Sequence, residues 1–78
     1  ELEQFEKGEA ITTKAIKAGH KTLIFYKMRC FFRIQTRQME LAQEDYREAE
    51  KLFIQSDSKI PDPILMNLAE MLQITPEW

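Results

Sequence analysis

The sequence predicts an all-α fold, a helical hairpin or bundle with one long central helix, and three observations lead there. Residues 21–56 contain neither Gly nor Pro, so nothing in them forces a break. Their apolar residues Met28, Phe32, Met39, Ala42, Tyr46, Ala49 and Phe53 recur at helical spacing, apart from one longer step at Gln35. Ile24, Phe31, Ile34, Leu41 and Leu52 widen this stripe into the band of a helix buried against more than one neighbour. Finally, the run at 22–32 has aromatic and branched content that suits a strand, but its apolar residues do not alternate and no second strand exists to pair with it.

Taken in order, the first helix is expected over about 9–18. Gly8 interrupts the turns before it, and Ala10, Ala15 and Ala18 permit close packing on the main helix. Gly19 is a fitting stop, with Lys14 and Lys17 suited to a helix C-terminus. A glycine is also tolerated inside a helix at about 1 kcal/mol, which leaves open a continuous helix over 9–56. The dominant helix, 21–56, would span about 50 Å. Its charged side is Arg29, Arg33, Arg37, Glu40, Glu44, Arg47 and Lys51, a solvated face. Pro61 and Pro63 end it, Ser58 or Asp62 caps the next segment, and a short helix over 63–73 carries Ile64, Leu65, Leu68, Ala69 and Leu72.

Seventy-eight residues suit a single small helical domain or a fragment of a larger one, and an apolar fraction of 44% argues against wholesale disorder. Cys30 is the only cysteine and has no disulfide or metal-spaced partner, so a reduced core thiol is expected. No signal-peptide pattern or membrane-length apolar run is present, which points to an intracellular compartment. The close at Pro76 and Trp78 reads as the edge of a domain cut from a longer chain. A net charge of −2 conceals a partition: residues 10–39 carry seven basic and no acidic side chains, whereas residues 40–78 carry nine acidic and three basic. Such a division attracts anionic partners, or it is satisfied internally if the acidic part folds beside the basic one.

Residues 46–72 resemble a tetratricopeptide-repeat boundary. Tyr46, Ala49, Phe53, Ser56 and Pro61 match the second helix and closing proline, and Leu65, Leu68, Ala69 and Leu72 match the next first helix. The resemblance implies a fragment of a helical-repeat protein whose surface binds a peptide or protein, with the turn of the earlier repeat near 43–45. The closing run LAEMLQITPEW is similar to the late helix and turn of small phage-repressor-type helix-turn-helix domains, which implies DNA binding. Segment 21–56 contains no compact helix-turn-helix to accompany it.

No catalytic constellation assembles around His20, and no phosphate cradle, nucleotide fingerprint or redox CxxC is present. Glu40, Glu44 and Glu48 stack at helical spacing beside Asp45, but no histidine accompanies them and Arg37, Arg47 and Lys51 supply counter-charge. The expectation is therefore a non-enzyme without cofactor or metal. The aromatic cluster Phe25, Tyr26, Phe31 and Phe32 either meets a partner or lies under the N-terminal helix. Phe25, Tyr26, Lys27, Arg29, Phe32, Arg33 and Arg37 are the candidate residues of a protein-interaction or scaffold module, whose partner is another protein or a second copy of the chain. The alternative is electrostatic binding to nucleic acid or an anionic membrane through the basic stretch 14–37.

Overall fold

Where the sequence reads one long helix, the chain turns back on itself. The computed structural model, which describes residues 2–78, contains helices α1 (Leu2–Lys17), α2 (Leu23–Gln35), α3 (Met39–Gln55) and α4 (Pro63–Leu72). The predicted helix over 21–56 is thus two helices joined at residues 36–38, and the longest dimension is 36 Å rather than the length of an unbroken rod.

Arg37 makes the break by adopting a left-handed conformation, φ 66°. Its N–H donates to the Ile34 carbonyl at 3.1 Å, and the Gln38 N–H donates to the Arg33 carbonyl at 2.8 Å. These bonds satisfy carbonyls that a helix C-terminus leaves without partners. The same device ends α1 at Gly19, φ 107°, and α4 at Gln73, φ 57°. Only Gly19 carries the residue that marks such a stop in a sequence. Residues 43–45, where the repeat resemblance puts a turn, lie inside α3.

The first helix begins at Leu2, well before the expected Glu9. Gly8 does not break it, because this position seats an aromatic ring: a Cβ there would fall 2.5 Å from Cζ of Phe32. Phe5 meets Phe31 edge-on, with ring centroids 5.9 Å apart, and Phe32 at 6.4 Å. These contacts pin the first turns of α1 on α2.

Thr22 caps α2 by accepting the Phe25 N–H at 3.3 Å. Asp62 caps α4: its Oδ1 accepts the N–H groups of Ile64 and Leu65, each at 3.1 Å, and Pro63 occupies the first turn. Helix α2 is central, packing on α1, α3 and α4, and α3 also packs on α4. Cys30, Ala42, Tyr46, Ala49 and Phe53 form the core with Leu65, Leu68, Ala69 and Leu72. Met28 and Met39, assigned to the buried stripe by spacing, are exposed. Antiparallel packing of two short helices covers a narrower face than a rod wrapped by neighbours would.

Candidate functional site

Most of the expected basic interaction surface is folded inward. Arg29 grips Asp45 with two nitrogens, Nε at 3.0 Å and Nη2 at 2.7 Å from Oδ1, and Arg33 Nη1 donates to Oδ2 at 2.9 Å. Arg33 Nε also donates to Glu9 Oε2 at 3.1 Å, and Glu9 Oε1 accepts from Gln38 Nε2 at 2.6 Å. Asp45 is 1% exposed, so this seam joins α1, α2 and the α2–α3 turn to a carboxylate inside the fold. Arg29 and Arg33 therefore do not belong to the solvated face the sequence suggests. A carboxylate shared by two guanidiniums has the counter-charge that burial demands.

Lys27 is likewise occupied, its Nζ donating to Asp62 Oδ2 at 2.6 Å. Burial pushes the Asp62 carboxyl up, but the Lys27 ammonium and two backbone N–H donors outweigh it and hold the group below the ordinary carboxylate value. Tyr26 is buried, with the Arg29 guanidinium 5.7 Å from its ring centroid. Phe25 is half-buried against the core and packs 6.2 Å from His20. Phe32 lies against α1, and Arg37 is exposed at the turn. Among the described residues, Lys14, Lys17, Lys21 and Arg37 make no ion pair, so four of the seven cations in the basic stretch remain available.

A different surface emerges on the far side of α2. Ile24, Met28, Phe31 and Phe32 line a groove of about 340 Å³ with Lys27 and, from α4, Ile64. Ile24 is 63% exposed, Met28 41% and Ile64 57%. Ile64 was legible as an excess: α4 buries Leu65, Leu68, Ala69 and Leu72 on one side and still carries Ile64, Met66 and Met71 on the other.

Chemistry at the remaining polar groups is limited by burial. The Cys30 thiol is wholly buried and is pushed up to about 12 by burial first and the nearby Asp45 charge second, with Arg33 opposing. It is not a nucleophile at neutral pH. Glu40, Glu44 and Glu48 line an open cleft with Arg29 and Arg47, and among the described residues no group of three or more His, Cys, Asp or Glu side chains is placed to hold a metal ion.

Glu50 is a second buried carboxylate, and the sequence offers its pairing with Arg47 three residues earlier. Glu50, on α3, accepts the Tyr46 hydroxyl at 3.1 Å, Arg47 Nη1 at 2.7 Å and the backbone N–H of Glu77 at 2.8 Å. Beside it the Trp78 ring packs on Phe53, centroids 4.9 Å apart. Burial pushes the Tyr46 phenol above its ordinary value, and the Glu50 carboxylate acts in the same direction. The Tyr46 and Glu50 spacing, one helical turn, was the other available signal.

Comparison with protein-family models, with curated proteins and with solved structures gives no match. Among the described residues no helix is long and apolar enough to cross a membrane.

Proposed function

We propose that the chain is a helical protein-interaction module whose docking surface is the groove between α2 and α4. The observation that carries this is the clustering of exposed Ile24, Met28 and Ile64 around one apolar depression. Ile24, Met28 and Phe31 succeed one another along two turns of α2, a ridge that fits another amphipathic helix.

The favoured occupant is a second copy of the chain. In an antiparallel two-fold pairing centred on Met28, Ile24 of each copy faces Phe31 of the other, so the ridge is its own complement. Lys27 is no obstacle, since its charge is matched by Asp62 of the same chain. Light scattering over a concentration series tests this reading. A dimer that forms with concentration is expected, and Met28→Glu should abolish it with helical content unchanged. A parent chain that stays monomeric at high concentration overturns self-pairing. If that monomer captures an apolar helical peptide and Met28→Glu does not, the occupant is another protein. Phe32→Glu should lose helicity as well, because Phe32 seats α1.

The helical-repeat reading is supported in one respect: of the nine residues that carry the resemblance, Tyr46, Ala49, Phe53, Leu65, Leu68, Ala69 and Leu72 are buried. Electrostatic binding to nucleic acid or an anionic membrane is the second reading, favoured by exposed Lys14, Lys17 and Lys21 near the end of α1. Three phosphate contacts would weaken duplex binding about fortyfold between 50 and 200 mM salt. Docking in an apolar groove would change little over that range.

A further inference from the structure

The segment 74–78 has no regular secondary structure, yet it is held on α3 by contacts of three kinds. Glu50, 3% exposed, accepts the Glu77 backbone N–H, Phe53 receives the Trp78 ring, and Arg47 lies 3.7 Å from the Glu77 carboxylate at the rim. We propose that this place on α3 is a peptide-binding slot, filled in cis by residues 74–78, which accepts from a partner an extended segment bearing an acidic residue followed by an aromatic one.

The first contact is to main chain, and any non-proline residue presents the same donor. Glu50 is already oriented by Tyr46 and Arg47, so the acceptor is prepared before a segment arrives. The second contact needs an aromatic ring, and the third favours an acidic side chain. Together they define a chemical class rather than one sequence.

The ring position is not specific to tryptophan, since a phenylalanine would present the same aromatic face to Phe53. The left-handed Gln73 and the bond from Ile74 N–H to the Ala69 carbonyl, 2.9 Å, anchor the base of the segment, so release of 75–78 leaves the end of α4 intact. The slot is on α3, away from the groove between α2 and α4, and neither site depends on the other.

Trp78 is the only tryptophan, which makes the test direct. The Trp78→Ala chain gives up the aromatic contact, which loosens the cis segment, and is dark, so a capped peptide of sequence QITPEW reports its own binding. Saturable binding with a blue-shifted emission is expected. A capped QITPEF peptide, itself without tryptophan, should displace Trp78 from the parent chain and shift its emission to the red. It should need at least about tenfold more peptide than the variant does, because the intact tethered segment competes at high effective concentration. Absence of saturable binding to a Trp78→Ala chain of unchanged helicity overturns the proposal, as does equal affinity for parent and variant. Should Trp78→Ala unfold, the parent chain decides: a saturable red shift supports the slot, and no shift at millimolar QITPEF overturns it.

Discussion

The two sides of α2 reverse the usual distribution of polarity. Toward α1 and α3, Arg29 and Arg33 close on Asp45 and Glu9 inside the molecule, while toward α4 the apolar Ile24 and Met28 stand in water. Three of the seven cations in the basic stretch are consumed by folding, and the less conspicuous apolar excess is left over. A charge partition along a chain therefore says as much about which helices meet as about external partners.

The contrast between the two sides is undone most severely by removing the hub of the charged one. Asp45→Ala leaves two guanidiniums facing each other in a partly buried seam, and a loss of about 3 kcal/mol is expected by urea denaturation. Against a total of roughly 5 kcal/mol for so small a domain, that leaves a marginal fold. A loss below about 1 kcal/mol would mean that the arginines reach water without resistance, and the seam would count as surface.

Gly8→Ala probes the boundary between the two sides. Alanine improves helix propensity by about 1 kcal/mol. The new methyl, however, meets the Phe32 ring where Phe5 and Phe31 hold it, and overpacking of this kind costs about 2 kcal/mol. A net loss of about 1 kcal/mol is expected in thermal melts. Adding Phe32→Leu should recover part of it if ring crowding is the cause.

Acid titration probes the cap of α4. The Asp62 carboxyl is depressed in the folded chain, so its contribution is present above the unfolded value and is lost as pH falls below about 4, through the folded value. Asp62→Asn keeps a capping oxygen but gives up the charge pairing with Lys27, and should cost about 1 kcal/mol at neutral pH, a difference that shrinks as acid protonates the parent. Denaturation series at pH 7 and pH 3 measure both ends.

The smallest effect is a gain. Arg37→Gly relieves a side chain in the left-handed region, and about 0.5 to 1 kcal/mol of stabilisation is expected, seen as a higher melting temperature. No ion pair is given up, so a loss would show that the guanidinium has a structural role that its exposure conceals.

Legibility in the sequence tracks how local each determinant is. The all-helical class, the stop at Gly19, the cap at Asp62 with Pro63 behind it and the core thiol Cys30 all rest on residues within a few positions of one another. The break at 36–38 was not legible, because its left-handed residue is an arginine and the flanking segments are good helix formers. Nor was the early start of α1, since the reason for Gly8 lies on another helix. Among the expected interaction residues, Phe25, Tyr26 and Phe32 were located on the right helix, but their cover comes from the core and α1. Pairing of Lys27, Arg29 and Arg33 within the chain was one of two open outcomes, and only tertiary structure names Asp62, Asp45 and Glu9 as the partners. The Glu50 slot depends on a segment twenty-seven residues away, beyond any local pattern.

The enclosed thiol also turns the molecule into its own clock. Cys30 has no exposed surface and a proton held far more tightly than in a free thiol, so an alkylating reagent can act only when α2 lifts from its neighbours. Under fast reclosure, the labelling rate is the rate of an open thiol multiplied by the fraction of time spent open. Every 1.4 kcal/mol of opening free energy then slows labelling about tenfold, and one residue reports how firmly three helices grip the fourth.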